Sequence, residues 1–226
     1  MKEHFQEEME ELKSNLIRMA SVVDDQVDKV ITALETGNIE LCKGVKARDL
    51  EVDAYDNLIQ TQCENIIALF QPVAIDLRLV MSAIMINNNL ERCGDIAVNI
   101  SQRVKKAGNE RALIVESQII DMARISQTML KNAIDSFIRN DTELASQVIG
   151  NDEIVDKLNK KLFNFLVAKM QSNPQLIERC THLVVMTRHI ERMADHATNI
   201  AENLVFYVES KIIAHRKKLE KHEDDK

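Results

Sequence analysis

The sequence predicts an all-α protein, and three observations carry that prediction. Only five glycines and two prolines interrupt 226 residues, far too few turn residues for a sheet protein. The composition of 45% hydrophobic and 29% charged residues suits long amphipathic helices. The chain also repeats itself after about 100 residues, so that one helical unit is present twice.

Apolar residues at heptad-like spacing (Phe5, Met9, Leu12, Leu16, Met19, then Val23, Val27, Val30, Leu34) define a long first helix, stopped by Gly37. Asn38 is placed to cap a second helix that runs to about Phe70, where Gln71 and Pro72 make a corner. Proline is favoured at a first helical position because its missing N–H would be unpaired there. The third helix is expected to reach about Ala107 and to end at Gly108 and Asn109, with a linker through Arg111. A fourth helix extends to about Arg139, a fifth is capped by Asp141, and a sixth opens with an Asn173 cap and Pro174. These six helices divide into a unit at 1–108 and a unit at 109–226, each long enough to bury a core of its own. The charged stretch from about Arg216 to Lys226 is expected to fray.

The duplication is explicit. At an offset of 103, Val27 pairs with Leu130, Leu34 with Phe137, Asn38 with Asp141, Leu41 with Leu144, Val45 with Val148, Asp49 with Asp152 and Asp53 with Asp156. After the corner the offset becomes 100 and aligns ERCGDIAVNI (91–100) with ERMADHATNI (191–200).

Counting from each corner sets acidic residues level across both hairpins. Asp53 and Glu91 each lie 19 residues from Pro72, and Asp49 and Asp95 each lie 23 away. Around Pro174, Asp156 and Glu191 lie 18 and 17 residues away, and Asp152 and Asp195 lie 22 and 21 away. A one-residue mismatch is only ~1.5 Å along a helix. Glu91, Asp95 and Asn99, like Glu191, Asp195 and Asn199, are spaced i, i+4, i+8 and form one stripe. Asp49, Asp53 and Asp56 share a face of the second helix, matched by Asp152, Asp156 and Asn159 on the fifth. Gly94 and Ala194 are small residues within the stripes that permit close helix approach.

Carboxylates on packed helices can approach to ~5 Å, where a like-charged pair costs on the order of 3 kcal/mol at an effective dielectric near 20. Protons, arginines or bound cations must neutralise them. Arg78, Arg92, Arg188 and Arg192 are near enough in sequence to balance a solvated acid face, but repetition of type, spacing and level in both halves favours cations. All-oxygen donors suit Mg²⁺, Ca²⁺, Mn²⁺ or iron over the zinc of thiolate sites, and His196 can add a nitrogen in the second half. The Glu-x-x-His pair of di-iron carboxylate bundles is absent. His182, His189 and His196 recur at seven-residue intervals without counterparts in the first half, and are expected to be partly buried and hydrogen-bonded rather than a second metal site.

A net charge of −7 and a pI near 5.5 argue against nucleic-acid binding, the short basic runs at 103–106 and 216–218 being read as solvated helix ends. No stretch approaches the ~20 apolar residues of a membrane span and no signal-peptide pattern opens the chain, so a cytoplasmic location is expected. The four cysteines show no CxxC spacing and are read as small apolar residues. No phosphate-binding glycine loop, GxSxG elbow or HExxH motif is present, so no enzyme is expected.

QPVAIDLR (71–78), LERCGDIAVNI (90–100) and RHIERMADHATNIAE (188–202), with the acid-bearing helices before them, resemble the PhoU family, and the likeness runs from the first helix to about His215. The resemblance implies two three-helix bundles related by a pseudo-twofold axis, pairing of chains as a homodimer, and metal clusters of varying identity (Fe, Mn, Mg, Ca or Zn) on E(D)xxxD stripes. Those stripes fall on Glu91 with Asp95, Glu191 with Asp195, and their partners Asp49, Asp53, Asp152 and Asp156. The second corner, SNPQLIER, departs from the first, so a partner contact made by one is not implied for the other. The implied role is negative regulation of phosphate uptake and of the phosphate-starvation response, linking the ATPase subunit of a phosphate-specific ABC transporter to a sensor histidine kinase. A metal-dependent phosphohydrolase and a spectrin-like helical spacer are the rivals. The spacer has no need of facing acids, and the chain has no Trp for a spectrin-type core.

Overall fold

The computed structural model describes residues 2–107 and 111–211. Within these it is helical with no strand: α1 (Lys2–Thr36), α2 (Val45–Phe70), α3 (Ala74–Ala107), α4 (Arg111–Ser117), α5 (Ile119–Arg139), α6 (Thr142–Ser172) and α7 (Ile177–Glu209). The expected end of the third helix at Gly108 and Asn109, and the charged stretch from Arg216, lie outside the described residues.

The apolar stripe of α1 is the core side of that helix: Met9, Leu12, Leu16, Met19, Val23, Val27, Val30 and Leu34 are all buried. Gly37 ends it in the left-handed conformation (φ 76), its N–H bonded to the Ala33 carbonyl. The caps obey the duplication. Asp141 Oδ1 accepts from the N–H groups of Glu143 and Leu144 at 3.1 and 3.0 Å, and Asn38 Oδ1 accepts from Glu40 N–H at 3.2 Å.

Several boundaries differ from the sequence reading. Asn38 caps a 3-10 turn, Ile39–Cys42, and α2 begins only at Val45 after left-handed Gly44. Asn173 and Pro174 likewise open a 3-10 turn, Pro174–Leu176, before α7. Pro72 is not a first helical residue: left-handed Gln71 (φ 51) ends α2, and α3 starts at Ala74. The expected single fourth helix is two, α4 and α5, because Gln118 adopts φ 64 between them. No glycine or proline marks this break. It follows from packing, since the turn lets Leu113, Ile114 and Ser117 become buried ahead of the core residues Ile119 and Met122. Lys161 and Lys169 of α6 hold the turn, donating to Gln118 Oε1 and Glu116 Oε1 at 2.7 Å each.

The packing follows the repeat. In the first unit α1, α2 and α3 contact one another pairwise, and in the second α5, α6 and α7 do the same. The units meet through α3 on α7 and α1 on α5, each helix against its own duplicate, as a self-complementary interface about a pseudo-twofold axis requires. The buried apolar residues of both units form one contiguous cluster.

Candidate metal centre

Three contacts fix the register of α2 against α3. Asn87 Nδ2 donates to Asp56 Oδ1 at 2.6 Å, Cys63 Sγ lies 3.9 Å from the Val80 carbonyl, and a Cβ added at Gly94 would stand 3.1 Å from Asp49 Oδ1. In each pair the residue numbers sum to 143, and the two expected rungs, Asp53 with Glu91 and Asp49 with Asp95, sum to 144. The first ladder is therefore level to within one residue, ~1.5 Å of helix rise. In the second hairpin Thr198 Oγ1 donates to Asp152 Oδ1 at 3.4 Å. Thr198 lies three residues beyond Asp195, about one turn along the same side of α7.

The electrostatics of the first hairpin bear the marks of crowding. Burial pushes the Asp49 carboxyl above its ordinary value, opposed by the Gln26 hydrogen bond and reinforced by the charges of Asp53 and Asp95. Burial likewise raises Glu91, with Asp95, Asp56 and Asp53 adding to it and Arg92 opposing. Arg92 bridges two rungs, 3.3 Å from Glu91 and 3.3 Å from Asp95. In the second hairpin Arg188 reaches Glu191 at 2.8 Å. Arg78 takes no part, because its Nε donates to the Tyr207 carbonyl across the α3/α7 seam.

The remaining expected residues are disposed around these rows. Asp53 and Asp156 are exposed while Asp49, Asp152, Glu91, Glu191 and Asp95 are half-buried. Asp195 and Asn99 are exposed, and Asn199 turns its amide nitrogen toward Asn89 of the seam at 3.3 Å. Among the described residues no three His, Cys, Asp or Glu side chains are gathered into a ready-made cation cage. The carboxylates form open rows, and a cation held there draws on side chains from both helices.

Buried oxygens without partners test the fit. Gln26 Oε1 and Asn87 Oδ1 are both buried and accept nothing, and their side chains bond to Asp49 and Asp56 respectively, at the two ends of the first ladder. Unsatisfied buried acceptors are rare and call for a donor or an ion. With carboxylates in front and amide oxygens behind, the donor set is all oxygen and fits a hard cation.

The histidines belong to the α3/α7 seam. His196 Nδ1 lies 2.8 Å from Asn89 Oδ1, Ser82 Oγ donates to the Asn203 carbonyl, Arg103 Nη1 donates to His182 Nδ1 at 3.3 Å, and Arg78 Nε donates to the Tyr207 carbonyl. Every pair sums to 285, so the two helices run antiparallel in one unbroken register. The same rule explains His189, whose Nδ1 is buried without a partner. His189 repeats Asn89 at offset 100, but the residue that should face it is Ile96, where the other side of the axis has His196. Burial, then the charges of Arg192 and Arg103, hold His189 below the ordinary imidazole value; burial, Arg192 and Arg92 do so for His196.

The PhoU domain family model matches this chain twice, at residues 16–104 and 119–204. The chain belongs to the PhoU family. The two matched stretches begin 103 residues apart and end 100 apart, the offsets at which the duplication and the ladders align. Over 216 residues the chain is 38% identical to an Aquifex aeolicus protein named phosphate-specific transport system accessory protein PhoU homolog, covering 96% of this chain and 98% of that one. A relative of the same name from Caulobacter vibrioides is 34% identical, over 88% of this chain and 87% of its own. The crystal structure of PhoU from Pseudomonas aeruginosa superposes with a TM-score of 0.85 at 30% identity, covering 92% of this chain and 100% of that one. A second, the phosphate transport system regulatory protein PhoU from Streptococcus pneumoniae, gives 0.84 at 25% identity over 92% and 99%.

Gln26 and Asn87 were the residues missing from the sequence reading of this PhoU chain. A signal existed for both. Gln26 falls in the apolar row Met19, Val22, Val30 of α1, and Asn87 in the row Val80, Ala83, Leu90 of α3. Both are wholly buried, and a polar residue on a core stripe needs a partner.

Proposed function

We propose that this PhoU-family chain is a negative regulator of phosphate uptake and of the phosphate-starvation response. It acts in the cytoplasm by binding, linking the ATPase subunit of a phosphate-specific ABC transporter to a sensor histidine kinase, and pairs as a homodimer. The observation that carries this reading is likeness over nearly the whole chain to relatives named phosphate-specific transport system accessory proteins. Among the described residues no helix is long and apolar enough to cross a membrane, so membrane contact would come through partners.

The site chemistry supports binding over catalysis. All four cysteines are buried, and burial pushes the Cys63 thiol up to about 12, far from the thiolate a nucleophile requires. His182 and His196 are engaged in the seam. Asp49, Asp53, Glu91 and Asp95 in one hairpin, and Asp152, Asp156, Glu191 and Asp195 in the other, are the residues that would hold hard cations. A bound cation supplies positive charge that offsets the repulsion and ties α2 to α3, and α6 to α7. The acid face is thereby rigid, leaving basic and apolar faces for partners, where a few buried anchors dominate affinity.

Affinity capture from cells lysed in high and in low phosphate tests the role. Recovery of the transporter ATPase subunit or the sensor kinase is expected, and recovery of neither under both conditions would count heavily against it. Elemental analysis of protein purified without chelators tests the cations separately. Hydrolysis of phosphate esters by Mn²⁺-loaded protein would instead favour the phosphohydrolase.

A further inference from the structure

We infer that Gln26 and Gly94 give the Asp49/Asp95 rung an oxygen-lined floor that the Asp152/Asp195 rung lacks, making it the tighter of two hard-cation sites. The inference rests on the reading of the ladders as cation sites and goes beyond it by making the two halves unequal and by bringing in a residue from α1.

Gln26 is wholly buried. Its Nε2 donates to the Val45 carbonyl at 3.0 Å and lies 3.4 Å from Asp49 Oδ1. Those two acceptors fix the amide, because the reverse orientation would set Oε1 against two oxygens. Oε1 is therefore the atom left without a donor. Its direction is given by Gly94, where an added Cβ would stand 3.2 Å from Gln26 Oε1, 3.1 Å from Asp49 Oδ1 and 3.4 Å from Val52 Cγ1. An amide oxygen and a carboxylate oxygen thus close side by side on Gly94, nearer than a side chain there would ordinarily allow. Hard cations accept neutral amide oxygens beside carboxylates, and the same amide can instead accept from a cation-bound water and orient it.

Neither residue recurs in the second half, whose own unpartnered buried amide oxygen, Asn159 Oδ1, stands at the level of Asp56 and not of Asp49. Gln26 is replaced at offset 103 by Met129 and Gly94 at offset 100 by Ala194, both wholly buried. A thioether is a poor donor to a hard cation, and Ala194 carries a methyl where Gly94 lets the two oxygens close in.

The test is a Mn²⁺ titration of the full chain by calorimetry, with the metal content of each variant measured after dialysis. The parent should show two classes of site. Gln26→Met and Gly94→Ala, each copying the second half, should weaken the tight class about tenfold or more, the range for removing a supporting ligand contact, and leave the weak class in place. Asp195→Asn should affect only the weak class. Circular dichroism with chelator checks folding, and Gly94→Ala stands alone if Gln26→Met misfolds, since alanine favours the helix. Parent-like affinities in the folded variants overturn the floor while the ladders stand. A parent that binds no Mn²⁺, or binding that Asp95→Asn and Asp195→Asn leave untouched, overturns the ladders and the floor with them.

Discussion

Replacing Asp49 by Asn should stabilise the protein without metal and destabilise it, relative to the parent, with metal. Asn keeps the shape and an oxygen to accept from Gln26 Nε2, the contact now at 3.4 Å, while the charge felt by Asp53 and Asp95 is removed. Two carboxylates ~6 Å apart repel by about 3 kcal/mol at an effective dielectric near 20. Solvent at these half-exposed rows reduces that to the ~0.5 kcal/mol typical of surface pairs, so relief of two pairs amounts to roughly 1 kcal/mol. For a chain of this size that raises the melting temperature by about 2–4 °C in chelator. With Mn²⁺ at a hundredfold its Kd the parent gains about 2.7 kcal/mol by linkage and the variant less, so the order of the two curves should reverse. Differential scanning calorimetry in chelator and in Mn²⁺ reads both. A variant that melts at or below the parent in chelator would show that Arg92 already neutralises the rows, and the repulsion argument would fall. The pH dependence carries the same sign. Folded carboxyls raised above their unfolded values, as for Asp49 and Glu91, hold more protons than the unfolded chain between the two values. Metal-free stability from these groups should fall as pH rises through that window.

The seam histidines act in the opposite sense: His189 and His196 are held below the ordinary 6.5, so the stability they contribute is complete above that value and is lost as pH falls through their folded values. Urea unfolding at pH 7.5 and 5.5 should show this loss, and His196→Asn, which keeps a donor for Asn89, should lessen it; an unchanged pH difference would argue against it. Gln118→Gly should stabilise by about 0.5–1 kcal/mol, because Gln118 stands at φ 64 where glycine carries no steric penalty; a loss in urea midpoint would show that its bond to Lys161 matters more. Asp141→Ala removes the acceptor for two N–H groups at the start of α6 and should cost about 1 kcal/mol by the same assay, an unchanged midpoint meaning that water replaces the cap.

Helix rise is constant, and this is why the register of the first ladder was legible in the sequence. Pro72 and Pro174 mark where each hairpin turns, so residue counts from them give levels, and contacts at Asn87, Val80 and Gly94 lie within one residue of the counted register of α2 on α3. The duplication was equally open to reading, because a repeated helical unit repeats its caps and core positions. The corner details were not. Asn38 and Asn173 hydrogen-bond as caps whichever helix follows, and a local side-chain bond cannot distinguish a 3-10 turn from the first turn of an α-helix.

The sequence by itself thus determined the all-α class, the doubled unit and the level of the acids along the first hairpin, all properties of a helix and its nearest neighbour in the chain. Only the tertiary structure decided what lies across the gaps between elements that are not consecutive. No corner joins α3 to α7, so no count could give the register that sets His196 on Asn89 and leaves His189 facing Ile96. Gln26 reaches the ladder from α1 for the same reason: the direction of a buried amide depends on which carbonyl and carboxylate the other helices bring to it, and Val45 and Asp49 fix it only once all three helices are packed.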